Sequence, residues 1–502
     1  MAMAMAMGWI EPRQVAAKML KSRHQIRQLA AVSLVLTLSM GALGGEWAQK
    51  GSVTYSGVYT DNVGLRDKGK DGEFINVVRP SFELIGKGRR AEMSLAAAFE
   101  FNDVGSGADA FNPRIKGDGK VEVLEDFFFI EGDVYSNQSM IDPFAAGGES
   151  SLNKTDNHTT TYDYSVSPYI VHRFGQTAEY QLRYTFDDQI NKSDELSDSS
   201  HEIVLMTLKS GPEFGRISWG LTNEYNKTEF DGDGEGSLNQ SGDNERLSSS
   251  VNIGYRLTEQ WQVNGTLGKE WNNYQTYDDD DTDDQFWDVG VLWTPTRRTT
   301  FDVGYGKHFY STTPRFKFTH KHRRSALSVS YARTLSDTRS ERRNAEFFSF
   351  LDALGDLVDP ITGEPLFLTD NFTFQDQGVF INEKFDSEWT LKGKRTSLTL
   401  FLKESKQIRE DVDSDAVFKS TGIRLKRDLS SVLSVTSRLS WDERENRQAN
   451  QADTTRFYLS VDRELGPKTK LGIAYSFSDR DSELSSDNYK ENRVSVSLTI
   501  DF

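Results

Sequence analysis

Apolar and polar residues alternate strictly at the end of the chain. Val494, Val496, Leu498, Ile500 and Phe502 are apolar, while Ser495, Ser497, Thr499 and Asp501 are polar. Successive side chains of a strand point to opposite faces, so this segment has one wholly apolar face and one wholly polar face. The same period recurs at Leu471, Ile473, Tyr475, Phe477, at Phe457, Leu459, Val461, and at Leu433, Val435, Leu439, Trp441. Upstream it returns at Leu327, Val329, Tyr331, at Phe301, Val303, Tyr305, and at Val251, Ile253, Tyr255, Leu257. Ile217, Trp219, Leu221, then Tyr180, Leu182, Tyr184, Phe186, and finally Met93, Leu95, Ala97, Phe99 complete the clearest set. No helical period of useful length appears after residue 45.

The alternating segments fall at 47–59, 72–85, 90–101, 115–124, 127–138, 159–174, 177–190, 199–210, 214–230, 244–257 and 260–275. They continue at 284–295, 298–310, 312–322, 324–337, 376–391, 395–409, 414–428, 431–446, 452–464, 467–480 and 488–502. That makes about 22 strands, each roughly twice the usual soluble length of about 5 or 6 residues. Such a length suits a tilted crossing of a hydrocarbon core. Every second connection is short and often basic, as at Gly86–Arg90, Glu125–Asp126, Phe174–Gln176, Arg297–Arg298, His322–Arg323, Gly393–Lys394, Asp428–Ser430 and Gly466. The others are mostly longer and acidic: Asp61–Asp71, Asp187–Asp198, Asp231–Glu245, Asp278–Asp284, Ser336–Gln375 and Ser478–Asn492. Short turns on one side and long loops on the other are the habit of transmembrane barrels. The pattern predicts an all-β chain, a single transmembrane antiparallel up-and-down β-barrel of about 22 strands. Its even count puts the short turns and both termini on the periplasmic side.

Ahead of the barrel, Lys18, Lys21, Arg23 and Arg27 precede the apolar run Leu29–Met40, and small residues Gly41, Ala42, Gly44 and Gly45 follow. Basic, apolar, small is the order of a cleaved secretory signal peptide, expected over 1–44 with the barrel at 45–502. Met19 is an alternative start. Export and a lipid-facing barrel together predict the outer membrane of a Gram-negative bacterium. Trp47, Trp261, Trp271, Trp287, Trp293, Trp389 and Trp441, near strand ends, suit its interfacial girdles.

Composition sharpens this. The chain has 502 residues, 59 Lys and Arg against 76 Asp and Glu, no cysteine and 12% aromatics. Mean hydropathy is −0.60, too polar for a bundle of apolar helices. The net charge of −17 argues against nucleic acid as a partner, since phosphate needs clustered cations. A disulfide scaffold is excluded by the lack of cysteine, and an acidic disordered chain by the aromatics.

The mature start reads Gly45-Glu46-Trp47, followed by Tyr59-Thr60-Asp61-Asn62-Val63, Ser165-Val166-Ser167-Pro168-Tyr169, Arg183-Tyr184-Thr185 and Ser210-Gly211-Pro212. In their order and spacing these short motifs resemble the outer-membrane β-barrel family associated with the PEP-CTERM (exosortase) system, which is related to the β-barrel porins. The resemblance runs over most of the mature chain. It implies a setting of exopolysaccharide production and protein sorting, no activity, and no site residues to carry over. The stretch Ser336–Gln375 is longer than that family's pattern.

Local chemistry is sparse. No catalytic, cofactor or metal residues are expected. Among seven histidines, His320 and His322 lie two apart, and a cluster beside a basic turn explains them better than a metal site. The acidic run Asp278–Asp284 lacks calcium-loop spacing and reads as a solvated loop, and Asp231–Gly236 has glycines that would let carbonyls turn inward but is one short copy and weak evidence for calcium. No local motif supports a Ser/His/Asp constellation.

The face opposite the apolar one is where function is expected. Arg183, Arg256, Lys317, Arg424, Lys426, Arg438, Arg456 and Asp462 should line the lumen, with Arg424, Lys426, Arg438 and Arg456 on one wall and Asp462 among their counter-charges. Phe502 ends the last strand as the aromatic terminus that outer-membrane assembly machinery reads. Outer-membrane lipid, lipopolysaccharide and the assembly machinery are the expected partners, with polysaccharide as a candidate cargo. The leading function is a non-enzymatic channel for export of exopolysaccharide or other envelope cargo. The alternatives are an uptake porin, with Ser336–Gln375 folded inward as a constriction loop carrying Phe347, Phe348, Phe350, Leu351 and Leu354, and a structural or adhesive surface barrel. A TonB-dependent receptor, also of about 22 strands, would need a plug ahead of the first strand, which here starts next to the expected cleavage site.

Overall fold

The computed structural model describes residues 45–103, 111–147, 152–155, 157–193, 195–231, 243–274, 283–341, 379–409, 414–446 and 451–502. The expected signal peptide, most of both acidic segments and the apolar part of Ser336–Gln375 lie outside the described residues.

Alternation drives the chain into long antiparallel strands. The first eleven are β1 (Gly45–Thr60), β2 (Glu73–Gly88), β3 (Ala91–Asn102), β4 (Phe111–Leu124), β5 (Phe128–Met140), β6 (His158–Phe174), β7 (Ala178–Asn191), β8 (Asp198–Ser210), β9 (Ile217–Asp231), β10 (Asp243–Arg256) and β11 (Trp261–Asn272). The rest are β12 (Asp284–Thr296), β13 (Thr299–Lys307), β14 (Arg315–Lys321), β15 (Ser325–Asp337), β16 (Val379–Lys392), β17 (Thr396–Arg409), β18 (Ser414–Asp428), β19 (Leu433–Asn446), β20 (Gln451–Gly466), β21 (Thr469–Ser482) and β22 (Tyr489–Asp501). Each strand pairs with its sequence neighbour, and β1 pairs with β22 from Ser52↔Asp501 to Thr60↔Arg493. The sheet therefore closes on itself as a 22-stranded barrel with no free edge.

The expected strand boundaries differ from the observed ones by no more than four residues, the most at the start of β4, expected at 115 and observed at Phe111. Pro212–Phe214 forms a 3-10 turn, so β9 begins at Ile217. Proline fixes φ and lacks a ladder donor, which ends the strand there. Residues 308–314 form a connection, leaving β14 only seven residues long. Here His308 donates its backbone N–H back to the Ser311 carbonyl at 2.9 Å, which turns the chain out of the sheet early.

The apolar face points outward. Leu267 (70% exposed), Ile253, Val303, Tyr305, Val496 and Ile500 all stand on it, with no protein to cover them. In water such a band would be untenable, whereas in lipid it is the solvated surface. Trp261 and Trp293 are register partners at the short-turn end and stack with centroids 5.1 Å apart. Trp271, Trp287 and Trp441 sit toward the long-loop end, so the tryptophans mark two levels.

At the seam, Phe502 exchanges backbone bonds with Gly51, and its ring lies where a Gly51 Cβ would stand, 2.5 Å away. A Cβ at residue 51 would require the Phe502 ring to move aside.

Candidate functional site: the lumen and its inserted loop

The polar face turns inward, and its burial is uneven in two directions. Along each strand, burial concentrates in the half nearest the long loops. β20 buries Ala452, Thr454, Arg456, Tyr458 and Ser460 in alternation, then none of its last six residues. β17 buries Ser405, Gln407 and Arg409 near its long-loop end. Around the barrel, the described residues of β9, β14 and β15 include no buried position at all.

The cover on the buried half is the loop between β5 and β6, described at 141–147, 152–155 and 157. It crosses the lumen and docks on the far wall. Phe144 enters an apolar pocket of Phe380, Ala416 and Phe418, its ring 5.5 Å from that of Phe418. Arg444 donates to the Pro143 carbonyl and reaches the Met140 sulfur at 3.8 Å. Arg480 donates to the Phe144 carbonyl, and the Tyr489 hydroxyl to that of Gly147 at 3.4 Å. Further along, Leu152 packs among Val58, Val63, Ile75 and Val77. Asn153 donates to Glu491 at 3.1 Å and accepts from Arg493 at 2.9 Å, and Lys154 pairs with Glu73 at 2.7 Å. The loop is shaped from within as well. Asp142 accepts the Phe144 N–H at 2.8 Å, and the Asn157 side chain accepts from and donates to the Asp142 backbone.

A second segment crosses the same end. The helical turn after β15 buries Thr338, Arg339 and Glu341. Arg339 pairs with Asp187 on β7 and donates to Ser199 on β8 at 3.0 Å, while Glu341 pairs with Lys384. The constriction expected of Ser336–Gln375 thus has its described root folded across the mouth, but the larger described insertion is the β5–β6 loop, which sequence reasoning did not single out. A usable signal was there: Ile141, Phe144 and Leu152 are apolar in a connection 17 residues long, and polar strand faces opposite them carry arginines.

The expected lumen residues all lie on the face opposite the exposed apolar one. Arg183 holds Glu131 at 2.7 Å and covers the Tyr169 ring at 4.1 Å, and Tyr169 donates to the same carboxylate at 2.7 Å. Arg256 ends β10, exposed at the short-turn rim. Lys317 is exposed opposite Asp302 in register. Arg424 and Arg438 are direct register partners, both buried, and Arg438 stands 5.5 Å from the Phe401 ring. Lys426, half-buried, follows on the same face. Arg456 pairs with Asp442, both almost wholly buried. Asp462 instead meets Lys470 at 3.4 Å, because it lies nearer the short-turn end than Arg456 does. The structure therefore separates Arg456 from its expected counter-charge and supplies a cross-strand one.

On the accessible side the lining is small and mixed. Arg315 lies flat across Gly290 and Gly304 to reach Asp288 and, at 4.0 Å, Asp302. Near the rim, buried Glu270 accepts from Arg246 at 2.7 Å and meets His308 at 3.1 Å. Phe286 stacks on His308 at 4.6 Å. In the loops just above, burial pushes the Tyr274 and Tyr310 hydroxyls up to about 12. His320 hydrogen-bonds Thr299 at 2.9 Å, and among the described residues no group of three or more potential ligands converges on a metal.

No protein-family profile matches the sequence, and no curated relative does. Solved structures do match. The siderophore receptor PirA from Acinetobacter baumannii aligns with TM-score 0.50 at 10% identity, over 90% of this chain and 80% of that one. The ferric enterobactin receptor PfeA from Pseudomonas aeruginosa aligns with TM-score 0.49 at 10% identity, over 90% and 81%. The FrpB iron transporter from Neisseria meningitidis gives 0.48 at 8% identity, over 91% and 83%. At such identity the likeness to PirA establishes the fold: a closed, antiparallel, 22-stranded barrel of the outer-membrane type.

Proposed function

We propose that this chain is a non-enzymatic channel of the Gram-negative outer membrane, hydrated through its short-turn half and gated at its long-loop end by the β5–β6 loop. The observation that carries this reading is the loop itself. It fills one side of a polar lumen through a few discrete contacts, while the linings of β9, β14 and β15 stay accessible. A 22-stranded barrel is too wide to be filled by its own side chains, so an inserted segment decides whether it conducts. The resemblance to the PEP-CTERM-associated barrels supports exopolysaccharide or other envelope cargo moving outward. A second reading, uptake of a small solute, draws on the fold shared with a siderophore receptor. In either case the short turns and both termini are assigned to the periplasm, and the assembly machinery is assigned Phe502 as its signal.

Planar-bilayer recordings of the refolded mature chain test the channel. Replacing 143–147 by a glycine-serine linker should raise single-channel conductance at least about threefold over the unaltered barrel. Equal, negligible currents in both would refute it. Protease added to intact cells should cut within 342–375, whereas tags at Gly86–Arg90 or Gly393–Lys394 should be reached only after permeabilisation. Surface labelling of both would refute the orientation.

A further inference from the structure

Two arginines of the far wall are held in an unusual way. Arg444 is 2% exposed and Arg480 3% exposed. Arg444 donates to the Pro143 carbonyl of the inserted loop and reaches the Met140 sulfur at the end of β5, and Arg480 donates to the Phe144 carbonyl of the loop. Among the described residues no carboxylate lies within 4.0 Å of either, although Asp442 and Asp142 act at longer range on Arg444, and Asp487 and Asp142 on Arg480. The Nε atom of each is buried without a hydrogen-bond partner, as it is in Arg79, Arg456 and Arg493, so the difference lies in what the rest of the guanidinium meets. The two groups are close enough to repel one another, and the Tyr489 hydroxyl joins them on the Gly147 carbonyl. Several other buried arginines of the lumen instead meet carboxylates, as Arg456 with Asp442, Arg493 with Glu491 and Arg79 with Glu100.

A buried guanidinium facing only carbonyls is under-compensated. Its fork matches an oxyanion in two parallel bonds, and a charged acceptor binds it about twice as strongly as a neutral carbonyl. An anion that reached this wall would therefore compete with the loop for the same donors.

We propose that Arg444 and Arg480, with Tyr489, form an oxyanion-binding site in the lumen, that the carbonyls of 143, 144 and 147 occupy it in the closed state, and that an acidic polymer bearing carboxylate or phosphate groups takes their place and releases the loop. This rests on the channel reading, for which it names the opening ligand. The loop acts as a tethered competitor, and neutral polymers do not open the barrel.

Calorimetry on the folded full chain in detergent tests the site without requiring conduction. The probes are tri-galacturonate, inorganic tripolyphosphate and neutral maltotriose. Replacing 143–147 by a glycine-serine linker should strengthen binding of one or both anions at least about tenfold over the unaltered chain, and leave maltotriose unchanged. Adding Arg444→Gln and Arg480→Gln should remove that gain. Arg444→Lys and Arg480→Lys, which keep the charges but lose the forks, should retain part of it and guard against misfolding of the glutamine variant. The anion that binds tighter identifies carboxylate or phosphate as the source. Equal affinity for anions and maltotriose in the linker variant, or a gain that survives both pairs of substitutions, would overturn the proposal. A linker variant that conducts but shows no anion preference sinks this site and spares the channel. One that binds the anion yet carries no current does the reverse.

Discussion

The two sides of the lumen are made of different material. On β16–β22 and β1–β8 the inward positions include large charged side chains that are buried, among them Arg79, Arg444, Arg456 and Arg480, all less than 10% exposed, and the inserted loop docks on Arg444 and Arg480. On β9–β15 the inward positions are mostly small, among them Gly254, Gly268, Gly290, Gly304 and Gly306, with Thr222, Ser250, Thr266 and Ser330 between them. The outer faces of the two sides are alike, both apolar and exposed. Identical demands from lipid fix the outside all round, so the difference between the sides has to be expressed inside. A charged wall gives a loop something to dock on. A wall of small residues leaves width for passage.

The largest expected effect tests how the charged wall is held. Asp442→Ala leaves Arg456 buried without its partner and should cost about 3–5 kcal/mol of barrel stability, measured by urea unfolding of the detergent-folded protein. The matching change on the other side, Asp302→Ala, removes a partner of Arg315 that is 43% exposed and 4.0 Å away, and should cost less than about 1 kcal/mol. Similar losses for both would mean that the sides do not differ in burial.

Next in size is a change on the lipid face. Leu267→Arg on β11 and Leu459→Arg on β20 both put a cation near mid-strand on that face, and each should cost about 2–4 kcal/mol in vesicles. Their equality sharpens the comparison by confining the asymmetry to the lumen. A marked difference between them would show that the outer faces are unlike as well.

The fold was legible because a period of two is local. Val494 to Phe502 declare their strand without reference to any partner, and antiparallel neighbours joined by short turns then fix the order. At Pro212 and at 308–314 backbone chemistry outweighed the pattern and shifted strand ends by three residues. The site was legible by halves. Parity alone places Arg424, Arg438 and Arg456 opposite Ile423, Leu439 and Phe457. What each meets there is set by strand stagger and by a loop from across the barrel. The contact of Arg444 with Pro143 spans 301 positions, and no periodicity encodes it.

The smallest expected effect concerns ion selectivity. Arg424 and Arg438 face each other across β18 and β19, and Lys426 follows one step nearer the short-turn end. Three cations on one wall raise the local anion concentration along any passage beside them, but the fixed charges of Asp288 and Asp302 on the other side offset part of that field. Changing Arg424, Lys426 and Arg438 together to Gln should therefore move the cation-to-anion permeability ratio only about two- to threefold toward cations, less than about 1 kcal/mol. Reversal potentials in a salt gradient, measured on the linker variant so that current is large, supply the test. If Asp288→Asn and Asp302→Asn shift the ratio more strongly and in the opposite direction, ions travel along the β9–β15 wall. If the arginine wall dominates instead, releasing the loop has opened the passage beside β18 and β19. If the triple change lowers stability by several kcal/mol and leaves selectivity unmoved, that wall is a closed ionic core, and conduction must be sought only on the side built from small residues.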